Sequence, residues 1–428
     1  MKVFISPKKS EWINLLVRPA LDAGDLKNKV GEILDDIKGK GFHAVRSYSR
    51  KFDGYDPDPV AISATDIEES KNRISSELRS AIDRAAKNIE IFHRNQLVDF
   101  PTVYISKSIQ CWQKDVPIEK VGFYIPGGTA PLFSTVLMLG IPAMIAGCSK
   151  MELCTPANSM GEIHPAVLYA ASICGITEVY RVGGIQAIGA MAYGAGEIES
   201  CDKIFGPGNQ YVTMAKQLVS EDGVSIDMPA GPSEVLVMAD SSANPEFVAA
   251  DLLSQAEHGD DSQVILLCSS EAFAISVNLA LEEQLLSLPR AETAKKALEN
   301  SRTIVLDSLD DMMEFSNLYA PEHLIISVVK ARAWAEKVIN AGSVFIGQYT
   351  PESAGDYASG TNHTLPTSGY ARSFSGLNMH SFMKTIQYQE IQKEGLFDLG
   401  PDIITMAEAE GLRGHANAVG IRLKEGKK

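Results

Sequence analysis

The sequence predicts an α/β protein with two Rossmann-like lobes, each built on a parallel sheet. Short apolar segments alternate with longer helical ones over most of the 428 residues, which is the pattern of successive βαβ units. One series covers residues 121–233 and the other covers residues 234–375. The chain before about residue 120 is predicted to be helical, and a small, mainly helical C-terminal arm is expected from residue 376.

The first series begins with the strand "VGFYI", a glycine-rich turn and a helix that runs through Ala146. The strands "MELCTP", "EVYRVGG" and "KIFGPG" follow, separated by apolar helices such as "AVLYAASICG". The second series contains the strands "SEVLVMAD", "SQVILLC", "TIVLD", "LIIS" and "GSVFIG", again with helices between them. We expect the two lobes to join near Ala230, with a cleft between them.

Two amphipathic stretches, "DLKNKVGEILDDIKGKG" and "SSELRSAIDRAAKNIEIFHRNQ", predict the N-terminal helices. His43 and His93 lie in or beside them, and His164 opens a later apolar helix, so we expect packed or surface histidines rather than ligands. The uncharged stretch 121–149 contains Pro126 and Pro142 and is too broken to cross a membrane.

The composition narrows the class of protein. Acidic residues outnumber basic ones by 54 to 39, and the net charge of −15 argues against nucleic-acid binding. The six cysteines form no CxxC pair, which is typical of thiols in a reducing cytoplasm. The N-terminus "MKVFISPKKSEWINLL" has no signal-peptide pattern, so a cytoplasmic location is expected.

Three glycine loops lie where a strand meets a helix: "YIPGGTA", "VGGIQA" and "FGPGNQ". Glycine lets the backbone approach a phosphate, and a helix N-terminus favours an anion. None of these loops has the G-x-G-x-x-G spacing of the standard dinucleotide fingerprint. A nucleotide site and ordinary turns after parallel strands therefore both remain possible.

The segment "SQAEHGDDS" is rich in potential metal ligands. Gln255 and His258 are three residues apart and would share a helix face, whereas Glu257 would point away. Asp356 and His363 in "PESAGDYASGTNH" and His415 in "LRGHANA" could complete a site. Such a set without thiolates suits zinc or another borderline-to-hard divalent ion. The alternative, histidines with purely structural roles, stays open here.

Glu322 and His323 in "APEHLIIS" follow a proline and precede an apolar strand. A loop at the strand entrance can turn both side chains toward one cleft, where they would form an acid/base pair that works near neutral pH. The alternative is an ion pair within the loop.

Several long motifs closely resemble the histidinol dehydrogenase family. They are "VGFYIPGGTAPLFSTVLMLGIPAMIAGC", "GPGNQYV", "DMPAGPSEVLVMAD", "DLLSQAEHGDDSQVILL", "APEHLII" and "ESAGDYASGTNHTLPT". The resemblance runs in order from about residue 10 to 424. It implies oxidation of L-histidinol to L-histidine through histidinal, using two NAD⁺ and one zinc ion per subunit. It also implies an intertwined homodimer with shared active sites.

The resemblance also assigns site residues. The implied zinc ligands are Gln255, His258, Asp356 and His415, the last supplied by the C-terminal arm to the partner's site. The implied substrate contacts are Ser233, Gln255, His258, Glu322, His323, Asp356, Glu410 and His415. The implied NAD contacts are Tyr124, Gln186 and Asn209. His323 would act as base and Glu322 would activate water, while a thiohemiacetal on Cys111 or Cys148 is disfavoured.

The resemblance completes the predicted domain organisation. Residues 1–23 form an N-terminal arm, and residues 24–120 together with 234–375 form the lobe that carries zinc and the catalytic residues. Residues 121–233 form the NAD-binding lobe, and residues 376–428 form the dimerisation arm. Two alternatives are a related zinc- and NAD-dependent dehydrogenase of another small alcohol or diol, and a zinc-bearing regulatory protein without catalysis.

Overall fold

The computed structural model describes residues 1–19, 23–127, 131–228 and 231–425. The predicted junction near Ala230 and part of the first glycine loop, residues 128–130, lie outside this range. The strands are β1 Lys2–Ile5, β2 Val103–Ser106, β3 Ile109–Pro117, β4 Lys120–Tyr124, β5 Lys150–Cys154, β6 Glu178–Tyr180, β7 Lys203–Phe205, β8 Ser225–Ile226, β9 Glu234–Ala239, β10 Gln263–Cys268, β11 Arg302–Val305, β12 His323–Ser327, β13 Ser343–Ile346 and β14 Met383–Ile391.

The α-helices of the described residues alternate with these strands along much of the chain. They are α1 Trp12–Leu15, α2 Ala23–Lys40, α3 Phe42–Phe52, α4 Ala64–Glu69, α5 Ser76–Arg94, α6 Phe133–Ala146, α7 Pro165–Ile173, α8 Gly184–Tyr193, α9 Gln210–Glu221, α10 Pro245–Ala256, α11 Glu271–Leu285, α12 Ala291–Glu299, α13 Leu309–Tyr319, α14 Ala331–Ala335, α15 Glu352–Tyr357, α16 Lys393–Ala409 and α17 Arg413–Glu425. None of the helices in the described part of the chain has the length and apolar character needed to cross a membrane.

The chain divides into two compact units. The first comprises Met1–Gln96 and Ile118–Phe382, and the second comprises Leu97–Pro117 and Met383–Lys428. Within the described residues of the first unit, one six-stranded and one five-stranded sheet are formed, both parallel throughout. The predicted α/β class with two parallel sheets is therefore confirmed, and the homodimer stays a prediction.

The six-stranded sheet has the order β1-β11-β10-β9-β12-β13. Its central strands β9, β10 and β12 are buried along their whole length, because helices cover both faces of a parallel sheet. The strand order reverses between β9 and β12. Adjacent residues at the N-terminal ends of these two strands therefore come together, including Glu234 and His323.

The five-stranded sheet has the order β6-β5-β4-β7-β8. This order reverses between β4 and β7, and the carboxyl ends of strands at such a switch point commonly border a ligand crevice. Gly206 after β7 has a φ of +128°, and a Cβ there would come within 2.0 Å of the Tyr124 carbonyl oxygen. Only glycine permits this close approach of the two strand ends.

The N-terminal helices pack on the five-stranded sheet. Leu26, Val30 and Ile37 of α2 share a core with residues of β6, α8 and α9, and Ile82 and Ile89 of α5 pack into the core around α6 and α7. Residues 24–120 were predicted to belong to one lobe with residues 234–375. The apolar faces of these helices were evident, but the surface that buries them was set by the tertiary structure.

The second unit contains the antiparallel sheet β14-β3-β2 and the helices α16 and α17. The helical character predicted for the C-terminal arm holds for residues 393–425, but β14 was missed, as were β2 and β3 here and β1 and β8 in the first unit. Strands β2 and β14 are mostly exposed. Neither has the buried apolar run that indicates a strand in the sequence.

Candidate active site

The predicted ligands Gln255 and His258 lie at the end of α10. Helix α10 stops at Ala256, so His258 lies two residues beyond it rather than on the same helical face, and its backbone N–H donates to the Gln255 carbonyl oxygen over 3.2 Å. Gln255 is buried and His258 is exposed. Gln255 and His258 are therefore neighbours, as their spacing predicted. The cause is the turn after the helix and not a shared helix face.

Asp356 lies on the short helix α15, not in the glycine-bounded turn expected from the sequence. Glu352 begins that helix, and residues four apart on a helix share a face. His258, Glu352 and Asp356 each offer one possible ligand atom, and these atoms all lie within 4.8 Å of one another. Imidazole and carboxylate groups at this separation could bind a divalent cation.

Glu352 was not identified from the sequence. Pro351 precedes the helical turn in which Glu352 and Asp356 are four residues apart. A proline alone is a weak sign of a helix start, and the glycine and serine of this segment predict a turn instead. Glu352 is only 1% exposed, and no hydrogen-bond partner for its Oε2 atom is present among the described residues.

The Gln255 amide group lies between two glutamates and the start of β9. Turned so that its nitrogen donates to a Glu352 carboxylate oxygen, its oxygen accepts from the Glu234 backbone N–H over 3.2 Å. The opposite orientation gives only a 3.4 Å contact from the nitrogen to Glu322. The first orientation makes two hydrogen bonds and is the better-satisfied one.

His323 begins β12 and is buried beside this cluster. Its Nδ1 atom is 3.0 Å from the Glu234 carbonyl oxygen, and its Nε2 atom is 3.8 Å from Asp356 Oδ1. The Nε2 atom has no hydrogen-bond partner in the described part of the chain. Burial lowers the pKa of His323, although the charge of Asp356 opposes this change. The ring is therefore kept neutral and able to accept a proton.

Glu322 precedes His323 and also lies in the buried site. Its Oε2 atom accepts from the Glu234 backbone N–H over 2.8 Å and is 3.6 Å from His323 Nδ1. Burial raises the pKa of Glu322 well above its ordinary value, and that hydrogen bond only partly offsets the effect. A buried carboxyl group with a raised pKa is a suitable proton carrier in a site.

Glu234 holds the start of β9 in position. Its carboxylate forms a two-point ion pair with Arg18, at 2.5 and 2.9 Å, and accepts from the Ser368 backbone N–H over 2.9 Å. The Arg18 guanidinium also lies over the Tyr319 ring, 3.9 Å from its centroid. With its side chain fixed in this way, the Glu234 backbone can serve as a rigid partner for Glu322, His323 and Gln255.

His363 links the Asp356 segment to α6, which belongs to the other lobe. Its Nδ1 atom is 2.9 Å from the Asp356 carbonyl oxygen, and its Nε2 atom is 3.1 Å from the Thr135 hydroxyl in the first turn of α6. Because a carbonyl oxygen only accepts, Nδ1 carries the hydrogen and Nε2 accepts from Thr135. His363 thus joins α6 to the segment that carries Asp356.

The remaining predicted substrate and metal residues are distributed over both units. Ser233 immediately precedes β9, next to Glu234, in the first unit. His415 lies on α17, and Glu410 caps the C-terminus of α16, so both belong to the second unit. The assignment of His415 and Glu410 to the site stays a prediction.

A cavity of about 1200 Å³ opens at the carboxyl ends of the five-stranded sheet. Tyr124 at the end of β4, Gln186 in the first turn of α8 and Asn209 before α9 all line it. The Asn209 side chain caps α9 by accepting from the backbone N–H groups of Tyr211 and Val212. The cavity lies at the reversal of the strand order, where α/β sheets bind ligands.

Two hydrogen bonds orient the cavity wall. The Gly184 backbone N–H donates to the Tyr124 hydroxyl oxygen over 3.2 Å, and the Gln186 amide nitrogen donates to Asp53 over 2.8 Å. Gln186 is 1% exposed, and its Oε1 atom has no hydrogen-bond partner among the residues described. Asp53 was not identified from the sequence, because it approaches Gln186 only through the packing of α3 on α8.

The cysteines supply no nucleophile at the site. All six are free, and burial raises the pKa of the Cys148 thiol to about 11. Cys111 lies on β3 in the second unit. A thiol with a raised pKa is rarely ionised and is therefore a poor nucleophile. The thiohemiacetal on Cys111 or Cys148 stays a disfavoured alternative.

Comparison with known proteins gives the family. A family model described as histidinol dehydrogenase matches residues 16–423. The chain belongs to the histidinol dehydrogenase family. Members of this family are oxidoreductases, so the protein is an enzyme, and the expected resemblance is confirmed.

The relatives of this histidinol dehydrogenase family member match it over nearly the full length. Histidinol dehydrogenase of Bacteroides thetaiotaomicron is 53% identical over 423 residues, covering 99% of both chains. That of Escherichia coli is 52% identical over 412 residues, covering 96% of this chain and 94% of its own. The crystal structure of histidinol dehydrogenase from Elizabethkingia anophelis has a TM-score of 0.97 at 53% identity and covers 100% of this chain.

Proposed function

We propose that the protein oxidises L-histidinol to L-histidine in two NAD⁺-dependent steps, through histidinal, at a zinc site of its first unit. The observation that carries the proposal is the grouping of a buried neutral imidazole, His323, with the possible ligand atoms of His258 and Asp356. A proton acceptor beside a cation site suits alcohol oxidation, because the base takes the hydroxyl proton and the cation can polarise the oxygen.

The residues of the cluster fit a zinc ion. Gln255, His258 and Asp356 would hold it, and His415 is the proposed ligand from the C-terminal arm. The set combines imidazole, carboxylate and amide oxygen without thiolate, which suits a borderline-to-hard divalent cation. The buried Glu352 Oε2 atom, without a partner among the described residues, fits a site that includes a cation. When bound, zinc would orient and polarise the substrate, and NAD⁺ would accept hydride.

His323 is the proposed base. Its Nε2 atom would take the proton of the substrate hydroxyl as the carbinol carbon is oxidised to the aldehyde. The imidazolium that forms would be stabilised by Asp356, whose Oδ1 atom is 3.8 Å away. Once this proton has passed to water, the same nitrogen can accept a second one when the hydrated aldehyde is oxidised to the carboxylate.

Glu322 is the proposed activator of water. The aldehyde must be hydrated before the second oxidation, since that step removes hydride from a carbon bearing two oxygens. The Glu322 carboxylate, already oriented by the Glu234 N–H at 2.8 Å, would accept a proton from water as the new carbon–oxygen bond forms. Burial of this site would also protect the reactive aldehyde from side reactions.

The cavity at the five-stranded sheet is the proposed dinucleotide site. Tyr124, Gln186 and Asn209 line it, and glycine-rich turns with helix N-termini surround it, which favours a pyrophosphate. Three further points complete the proposal. Ser233 and Glu410 would contact the substrate, two chains would form a homodimer with shared sites, and the enzyme would be cytoplasmic. A place in histidine biosynthesis follows from the family.

The test is the yield of NADH per L-histidinol consumed, with and without a metal chelator. A yield of two, abolished by the chelator and restored by zinc, supports the proposal. A yield of one would contradict the second oxidation step. Activity that survives complete removal of metal would contradict the role of zinc. Turnover of another alcohol, with none of histidinol, would overturn the substrate. For the shared site, chains with Asp356→Ala and His415→Ala should regain activity when mixed.

A further inference from the structure

Glu352 has no assigned role, although it is the most deeply buried carboxylate of the metal cluster. It is 1% exposed, and a ligand atom of its carboxylate lies within 4.8 Å of those offered by His258 and Asp356. Its Oε2 atom lacks a hydrogen-bond partner in the described part of the chain. An ionised carboxylate is rarely buried in this way unless a cation or several donors accompany it.

The surroundings of Glu352 are themselves acidic. The carboxyl groups of Asp356, Glu322 and Asp251 all lie near enough to act on it electrostatically. Negative charges gathered in a buried site repel one another. A divalent cation would convert the repulsion into attraction, because the same low-dielectric surroundings strengthen the interaction of opposite charges.

The Gln255 amide provides the second observation. In the better-satisfied orientation, its nitrogen donates to Glu352 while its oxygen accepts from the Glu234 N–H over 3.2 Å, sharing that N–H with Glu322 Oε2 at 2.8 Å. A carbonyl oxygen has two lone pairs, so this oxygen retains one for a cation. Groups that hydrogen-bond to a ligand in this way fix its orientation and its affinity for metal.

We propose that Glu352 is a positioning residue of the metal site, which holds the Gln255 amide so that its oxygen faces the cation and which adds a carboxylate charge beside it. The inference rests on the proposed zinc-dependent function. It extends the site from the ligands themselves to the group that orients one of them.

The test compares Glu352→Gln with Glu257→Gln, a carboxylate next to His258 in sequence but outside the cluster. The zinc dissociation constant is measured by competition with a chromophoric chelator, and the melting temperature is measured on the metal-free protein. Glu352→Gln is expected to weaken zinc binding by roughly 10- to 100-fold. The melting temperature of the metal-free variant shows whether it folds as the unaltered protein does. Glu257→Gln should change neither quantity.

The outcomes separate this inference from the function on which it rests. Failure of the unaltered protein to bind zinc would overturn the zinc proposal. Tight zinc binding by both the unaltered protein and Glu352→Gln would overturn the role of Glu352 alone. If Glu352→Gln does not fold, Glu352→Asp decides, since it keeps the charge but cannot reach the Gln255 amide equally well. Weakened zinc binding with unchanged circular dichroism supports the inference, and unchanged binding overturns it.

Discussion

The Nδ1 atom of His323 lies 3.0 Å from the backbone carbonyl oxygen of Glu234. Because a carbonyl oxygen can only accept a hydrogen bond, Nδ1 carries the hydrogen of the neutral ring. The lone pair is therefore on Nε2, the atom 3.8 Å from Asp356 Oδ1. The pairing of β12 with β9 sets the tautomer of the proposed base.

The first prediction distinguishes the roles of the two ring nitrogens of His323, the donor Nδ1 and the proposed base Nε2. The amide nitrogen of His323→Asn can replace Nδ1 as a donor to Glu234 but offers nothing at Nε2. His323→Gln reaches toward the Nε2 position without providing a base. Both changes should lower kcat by roughly 10²- to 10⁴-fold, the usual contribution of a general base, while Asn preserves the melting temperature better. Steady-state kinetics and thermal unfolding give the two readouts, and unchanged kcat in His323→Asn would refute the assignment of the base.

The second prediction concerns the contact between Asp53 and Gln186. Asp53 accepts from the Gln186 amide nitrogen over 2.8 Å, which leaves the amide oxygen for a donor on the dinucleotide. Asp53→Ala should raise the KM for NAD⁺ and the dissociation constant of NADH about tenfold, the effect of about one lost hydrogen bond, with little change in kcat. NADH fluorescence titration measures the binding. Asp35→Ala, an exposed carboxylate on α2, is the control, and equal NADH affinity in the two variants would contradict the prediction.

The third prediction is a pH-dependent stability. Glu152 on β5 is 1% exposed, and neither carboxylate oxygen has a hydrogen-bond partner among the described residues. Burial raises the pKa of Glu152 to about 7, from an ordinary value of 4.5. Because the folded pKa is the higher one, folding is favoured at low pH, and this contribution is lost as pH rises through about 7.

Glu152→Gln removes that titration. The variant should therefore gain stability relative to the unaltered protein between pH 5 and pH 8, seen as a higher melting temperature. The gain in the free energy of unfolding is on the order of 2 kcal/mol, reduced by the loss of the contact with Lys150. Scanning calorimetry at the two pH values measures it. Glu119→Gln, at an exposed position, should show no such trend, and a pH-independent difference for Glu152→Gln would show that the carboxyl titrates normally.

The chain's apolar segments determined the two parallel sheets. The runs that became β9, β10 and β12 are apolar without alternation, as strands covered on both faces must be, so their number and order in the chain could be read directly. The strands β2 and β14 were not predicted, because their side chains are largely exposed. Their pairing depends on a partner strand far along the chain rather than on a local pattern.

The sequence by itself determined the fold class and the family, and it predicted residues of the site, since these depend on residue types and on motifs that are local in the chain. The tertiary structure alone decided which side chains meet. It brought Glu352 beside His258 and Asp53 beside Gln186, and it packed the N-terminal helices on the five-stranded sheet. The physical reason is that such contacts follow from how strands are ordered and helices buried, and no spacing within one segment encodes a neighbour that lies far along the chain.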